Sequence, residues 1–186
     1  MEDNTANSES PTLMQHAIKF GAIMGAVGFV LTLLLYAIDY TLLADWKIGL
    51  LILAVFIGFV IYAGINYRGQ IGGFINYGKA FQHAFIALAI AGLIGVLGNM
   101  LLYTVIDPEL PTKLADAAVE KTAAMLESFG TPEEAIDEAV EKMKDEMPSK
   151  FGPVGLLTGY LWGLIFYAVI AAISGLVVRK NQPEVM

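Results

Sequence analysis

Residues 107–153 read DPELPTKLADAAVEKTAAMLESFGTPEEAIDEAVEKMKDEMPSKFGP, and this charged segment between two long apolar runs decides the architecture of the chain. It carries twelve acidic residues and five lysines, so its net charge of −7 equals the formal net charge of all 186 residues. The rest of the chain is therefore neutral. A neutral, apolar body is expected to expose such a segment to water and to partners.

Four apolar runs surround this segment. Hydrophobic residues make up 56% of the chain and charged residues 16%, with a mean hydropathy of +0.63, which lies outside the usual composition of soluble domains. A helix of about 20 apolar residues crosses the roughly 30 Å of bilayer hydrocarbon. We therefore predict an all-α, polytopic membrane protein with four transmembrane helices, at residues 17–38, 48–67, 80–106 and 154–178.

The charged segment has the pattern of an extracytoplasmic helical hairpin. Pro111 suits a first helical turn, and Gly130 suits the residue after a helix end, where φ is positive. Thr131, followed by a proline and then by Glu134, matches a capping box at the start of a second helix. Pro148 is expected to end that second helix.

An apolar stripe follows the second helix of this hairpin, at spacings of four, three and four residues. Its members are Ile136, Val140, Met143 and Met147. Such a stripe buries itself against a neighbour. That neighbour is either the first helix of the hairpin, or another protein or the membrane surface. The stripe is therefore a candidate partner-docking surface.

Basic residues predict the orientation of the spans. Lys and Arg cluster at one set of span ends, which predicts that this set faces the cytoplasm. The chain begins with acidic and uncharged polar residues, unlike a signal peptide, so we expect the first span to be retained. The expected segments are a cytoplasmic tail at 1–16, three spans within 17–106, the acidic hairpin at 107–153, a fourth span at 154–178 and a cytoplasmic tail at 179–186.

Composition and motifs argue against several classes of function. The chain has no cysteine, which excludes disulfides and thiolate ligands. Its acidic balance argues against nucleic acid as a partner. No span holds paired carboxylates, and the motifs G-x-S-x-G and H-E-x-x-H do not occur. We therefore expect a protein that is not an enzyme, with no catalytic residue, no cofactor and no metal.

A few polar residues lie near the basic ends of the spans. His16, Lys19, Lys79 and His83 fall within about one helical turn of those ends, and we expect them to anchor the spans at the membrane interface. Tyr67 is expected to anchor in the same way. The alternative is a metal or proton site formed by His16 and His83, which is disfavoured because no carboxylate lies nearby in the sequence.

Small residues recur at helical spacing in the first and last spans. Such rows let helix backbones approach closely within a bilayer, and a polar residue at depth, Asn99, often hydrogen-bonds a neighbouring helix. The candidate helix-packing residues are Gly21, Gly25, Asn99, Gly155, Gly159 and Gly163. We expect them to pack inside one bundle, with a homodimer seam along the last span as the alternative.

Four short features carry a resemblance to a known family. They are INYGKAF at 75–81, Asp107-Pro108, the turn from Gly130 to Glu134, and the basic end Arg179-Lys180. Together they resemble the membrane family called domain of unknown function 4199, four-helix proteins found mainly in Bacteroidota. The likeness covers nearly all of the chain, although Gly72, Gly73 and Asn76 depart from the family pattern. It implies a bacterial inner membrane, and it implies no activity or cofactor.

Two functions follow as hypotheses. The first is a non-enzymatic interaction or scaffold subunit of the inner membrane, whose hairpin docks to another membrane or periplasmic protein. The second is a small dimeric transporter or channel for an unknown solute, which requires a polar path through the spans. Both place the protein in the lipid bilayer.

Overall fold

The computed structural model describes residues 11–182, and this part of the chain is helical apart from short turns. The six long helices are α1 (Leu13–Asp39), α2 (Trp46–Gln70), α3 (Tyr77–Leu101), α4 (Leu110–Ser128), α5 (Glu133–Phe151) and α6 (Pro153–Val178). A 3₁₀ turn, Tyr40–Ala44, follows α1, and a π turn, Leu102–Ile106, follows α3.

Four of these helices, α1, α2, α3 and α6, are long and apolar enough to cross a membrane. The predicted all-α membrane architecture is thereby confirmed. The first span starts earlier than predicted, because Thr12 and Gln15 form a reciprocal capping box that begins α1 at Leu13. Residues 13–16 therefore belong to the helix, and the rest of the predicted N-terminal tail lies almost wholly outside the described residues.

The spans alternate in direction around a close contact between α1 and α3. These two helices run parallel: Gly21 lies on Ala87, and Gly25 lies on Ala91 one turn further on. A methyl group at Gly21 would sit 2.6 Å from the carbonyl oxygen of Ala87, so this approach requires glycine. α6 runs antiparallel to α3 on its other side. The core between the helices is apolar except for a few buried polar side chains, and the outward faces carry exposed apolar side chains, as helices in lipid do.

The alternation brings all the basic span ends together. We call this the basic end of the bundle; it carries Lys19, Arg68, Lys79, Arg179 and Lys180. There the chain after α6 pairs with the loop before α3, since Ile75 and Lys180 exchange two backbone hydrogen bonds of 2.9 Å.

The opposite end carries α4 and α5, which we call the helix-pair end. Pro111 lies in the first turn of α4, as predicted. Leu110 and Leu114 are buried against Leu102 and Tyr103 at the end of the third span. Burial of two leucines stabilises the contact by roughly 1.5–3 kcal/mol for each side chain. α4 is therefore attached to the bundle and is not a free connector.

The turn between α4 and α5 differs from the predicted capping box. Gly130 has a φ of +73°, as expected after a helix end. The backbone N–H of Thr131 donates to the carbonyl of Leu126 at 3.1 Å, and that of Gly130 donates to Glu127 at 2.9 Å, which is a Schellman motif. Thr131 thus completes the end of α4, and Pro132 is the N-cap of α5 without a side-chain cap. The capping-box prediction is wrong.

The predicted end of the second helix at Pro148 is also wrong. α5 continues through Pro148 to Phe151, and the chain leaves the helix at Gly152, whose backbone is extended. The break comes where glycine, a poor helix former, precedes Pro153, because a proline disfavours the helical conformation of the residue before it. Pro153 then occupies the first position of α6, which suits a residue without an N–H.

Candidate functional site

Two buried histidines meet near the basic end of the bundle. His16 on α1 and His83 on α3 are 3% and 0% exposed, and His16 Nδ1 lies 2.9 Å from His83 Nε2. The ring of Tyr67 on α2 stacks on His83, with centroids 5.2 Å apart and an interplanar angle of 12°. The prediction that His16, His83 and Tyr67 anchor the interface is therefore wrong. Lys19 remains exposed.

The contacts of Asn66 define the direction of this hydrogen-bond chain. Gln70 Nε2 donates to Asn66 Oδ1 at 2.8 Å, and His16 Nε2 lies 3.1 Å from the same oxygen. Since Asn66 Oδ1 accepts, His16 carries its proton on Nε2, and the Nδ1 of the neutral ring is an acceptor. His83 Nε2–H then donates to His16 Nδ1. The chain connects α2, α1 and α3 through side chains alone.

The hydrogen bonds among Asn66, His16 and His83 leave one buried acceptor, His83 Nδ1, without a donor among the described residues. In this tautomer His83 Nδ1 carries a lone pair, and it has no hydrogen-bond partner among the described residues. The buried hydroxyl of Ser174 on α6 has none either. Ser174 precedes Gly175, which packs on the backbone of Phe81 two residues before His83. A donor and an acceptor thus lie at a similar level of the bundle, where an unpaired polar atom costs about 1–3 kcal/mol.

A cavity reaches His16 from the basic end. Its volume is about 260 Å³, and it is lined by Gln15, His16, Lys19, Asn66 and Gln70 among others. His16 is therefore the member of the pair that borders this cavity. Residues 11–182 contain no group of three His, Asp or Glu side chains placed to hold a metal ion.

A second cavity lies deeper in the bundle. Its volume is about 270 Å³, and its polar lining comes from Asn99, Thr32 and Tyr167. The Thr32 hydroxyl donates to its own helix at the carbonyl of Gly28. Asn99 was expected to hydrogen-bond a neighbouring helix, and the structure instead places it on the wall of this cavity. Met24 and Leu88, which are buried, line the same cavity on the side of the histidine pair.

The three glycines of the α6 row have three different surroundings. A methyl group at Gly159 would meet nothing within 4 Å, and one at Gly163 would meet only Tyr167 of the same helix. Gly155 lies against the last turn of α5, at the carbonyls of Ser149 and Lys150. Of the predicted packing residues, Gly21 and Gly25 therefore contact another span within the described residues, Gly155 contacts α5, and Gly159 is exposed.

The apolar stripe of α5 is turned towards α4. Ile136, Val140, Met143 and Met147 are all half-buried. Val140 shares a cleft with Val119 of α4, and Ile136 shares another with Ala123 and Ala124.

Two carboxylates hold the helix pair to the spans. Lys121 Nζ lies 3.1 Å from Asp45 Oδ2, and this hydrogen bond lowers the pKa of Asp45. Asp107 accepts from the Tyr36 hydroxyl at 3.2 Å and pairs with Lys113 at 3.4 Å. Burial alone would raise the pKa of Asp107, but the hydrogen bonds from Lys113 and Tyr36 outweigh it and the pKa is lowered. Both carboxylates are therefore ionised at neutral pH.

Comparison with known proteins identifies the family. Residues 19–180 match the family described as protein of unknown function, DUF4199. The chain belongs to the DUF4199 family. No curated protein and no solved structure shows significant similarity to it. The match confirms the resemblance expected from the sequence. The matched residues include His83, Asn66 and the helix pair, but they begin after His16.

Proposed function

We propose that this DUF4199 protein is a non-enzymatic interaction subunit of the bacterial inner membrane, with both termini in the cytoplasm and the helix pair on the periplasmic side. One observation carries the proposal: α4 is fixed to the spans by buried leucines and ion pairs, while α5 exposes a strongly acidic surface. Because α4 is held in place and packs against α5, the helix pair presents the acidic surface in a set position, which suits docking of another membrane or periplasmic protein.

The charge of α5 indicates the chemistry of the partner. The helix has seven carboxylates and three lysines, and its acidic side chains are exposed. Such a surface attracts a basic partner and repels an acidic one, which favours specificity and fast association. The partner that fits this charge presents lysine or arginine side chains.

A cleft between α4 and α5 supports the same proposal. Its volume is about 580 Å³, and the carboxylates of Glu120, Glu127, Glu133 and Asp137 surround the half-buried Ile136. Arg and Lys combine an apolar stem with a charged head, which matches an apolar centre with a rim of carboxylates. We therefore expect docking at this cleft. The stripe of Ile136, Val140, Met143 and Met147 contributes through Ile136, because it is otherwise turned towards α4.

Neutralisation of the cleft tests this function. The variant carries Glu120→Gln, Glu127→Gln, Glu133→Gln and Asp137→Asn. Proteins that cross-link to the wild-type chain in native membranes are purified in mild detergent and quantified by mass spectrometry. We expect recovery of the partner to fall by about tenfold, which corresponds to 1.4 kcal/mol of binding free energy.

The control variant removes the same charge from α5 outside the cleft. It carries Glu134→Gln, Glu138→Gln, Glu141→Gln and Asp145→Asn, and it should keep most of the partner. Equal recovery with both variants would contradict docking at the cleft. Wild-type protein without any specific partner would contradict the interaction function itself.

A small dimeric transporter for an unknown solute is the second candidate, and the buried histidine pair favours it. An ionisable group inside a membrane bundle is a functional candidate by default. Here the pair lies between a cavity open to the basic end and a deeper cavity lined by Asn99. Gly159 of α6, which is exposed, suits a dimer contact.

Proton flux in proteoliposomes distinguishes the two candidates. A pH-sensitive dye inside the vesicles reports flux driven by a pH gradient, with and without a panel of solutes outside. Transport predicts a flux that His83→Leu reduces by at least about tenfold, since intramembrane ionisable groups carry proton relays. Flux equal to that of empty vesicles across the panel would retire the transporter.

A further inference from the structure

The basic end of the bundle carries cations without carboxylate partners. The segments of this end, residues 11–20, 66–80 and 176–182, contain five Lys and Arg residues and no Asp or Glu. The four ion pairs of the described residues all lie elsewhere, on Lys113, Lys121 and Lys150. Among the described residues, therefore, no carboxylate neutralises these cations.

Two of these cations line a built pocket. The pocket has a volume of about 470 Å³ and lies between Lys79 of α3 and Lys180 after α6. The rest of its wall has an apolar part, from Tyr67, Ile71, Phe74 and Ile75, and a polar part, from Asn76, Asn181 and Gln182. The Lys180 ammonium stands 5.4 Å from the ring centroid of Phe74, a cation–π contact that holds it over the apolar wall.

Backbone hydrogen bonds give the pocket its shape. Ile75 is 3% exposed, and its two hydrogen bonds with Lys180 clamp the chain after α6 to the loop before α3. Arg68 Nη1 donates to the carbonyl of Val178 at 2.7 Å, which fixes the same segment to α2. Both lysines are thus presented by backbone that is tied down on two sides.

The position of the pocket and its lining, with lysines on one side and apolar residues on another, indicate which ligand it binds. The pocket lies where α2 ends, α3 begins and α6 ends, which is the level of the lipid headgroups. Basic pockets between membrane helices bind anionic headgroups. A free phosphate ion would use the lysines alone, whereas a phospholipid also covers the apolar wall with its glycerol and the start of its acyl chains. We propose that this pocket binds the phosphate of an anionic phospholipid between Lys79 and Lys180.

Lipid retention tests the site. Wild-type protein in detergent is mixed with phosphatidylglycerol or with phosphatidylcholine, and bound lipid is counted by native mass spectrometry. We expect the wild-type protein to bind phosphatidylglycerol in preference to phosphatidylcholine. Each lysine near an anionic headgroup raises the affinity by about fivefold, so Lys79→Gln/Lys180→Gln should bind phosphatidylglycerol about 30-fold more weakly. The matched control, Lys47→Gln/Lys142→Gln, removes the same charge at the helix-pair end and should bind like the wild type.

Further variants and ligands keep the outcomes distinct. Lys79→Arg/Lys180→Arg preserves the charge and should retain the lipid. If Lys79→Gln/Lys180→Gln does not fold, the single variant Lys79→Gln, at an exposed position, replaces it. Equal retention of phosphatidylglycerol and phosphatidylcholine, or unchanged binding in the glutamine variants, would overturn the site. A thermal shift with inorganic phosphate as large as that with phosphatidylglycerol would overturn the lipid in favour of a soluble anion.

Discussion

At the residue scale, the hydrogen bond between His16 and His83 joins two spans through residues 67 positions apart. His16→Leu and His83→Leu each leave a buried polar partner unpaired, so each should lower the free energy of unfolding by about 1–3 kcal/mol. The double variant should lose less than the sum, by about 0.6–1.7 kcal/mol, which is the usual coupling of side chains in membranes. Titration with SDS in mixed micelles measures these values. Strict additivity would contradict a direct bond.

Gly21 provides a second prediction at this scale. Gly21→Ala forces a methyl group to within 2.6 Å of the Ala87 carbonyl oxygen, so α1 and α3 must separate. We expect a destabilisation of about 1–3 kcal/mol, as for other overpacked cores. Gly58→Ala is the matched control, because its methyl group would meet nothing within 4 Å and alanine is the better helix former. Similar stability of the two variants in SDS titration would argue against the close contact.

At the scale of elements, the attachment of α4 should depend on pH through Asp45. The pKa of Asp45 is lowered in the folded protein by its bond with Lys121, so this stabilisation is complete above the pKa of unfolded Asp, about 3.9, and is lost as the pH falls through the lower folded value. Spin labels on Lys47→Cys and Ser128→Cys, in a chain without other cysteines, report the distance between α4 and the spans.

The expected result is one distance at pH 6 and a broader distribution near pH 3. Asp45→Asn should broaden the distribution already at pH 6, since the amide cannot pair with the Lys121 ammonium. A Glu138→Gln variant, which alters an exposed carboxylate of α5, serves as the control. A distribution that stays narrow in Asp45→Asn and at pH 3 would show that Leu110 and Leu114 hold α4 without help from charge.

At the scale of the whole molecule, the exposed Gly159 on α6 predicts a homodimer. Gly159 faces open space, so a second copy can bring its own α6 against it. Gly159→Ile should convert a dimer into a monomer in lipid nanodiscs, whereas Gly58→Ile, also open but on α2, should not. Single-molecule photobleaching counts the subunits. One bleaching step in the wild-type protein would contradict the dimer.

Part of this molecule could be predicted from sequence because the signals are local. A span needs about 20 apolar residues, and a helix end with positive φ needs a residue such as Gly130. Thr131 and Pro148 were predicted wrongly for a related reason: each carries a local signal that a neighbour overrides. The end of α4 already uses the Thr131 N–H, and Gly152 before Pro153 breaks the helix more readily than Pro148 does.

The sequence by itself determined the class of the protein, four membrane-length helices with one acidic helical insert, because hydropathy and charge act over consecutive residues. It did not determine which side chains meet. His16 and His83 read as interfacial residues, and only the parallel packing of α1 on α3 brings them together in the interior. Lys79 and Lys180 form one pocket only because the chain after α6 pairs with Ile75. Contacts between distant positions depend on the register and the crossing angle of packed helices. The hydropathy and charge of consecutive residues do not specify either.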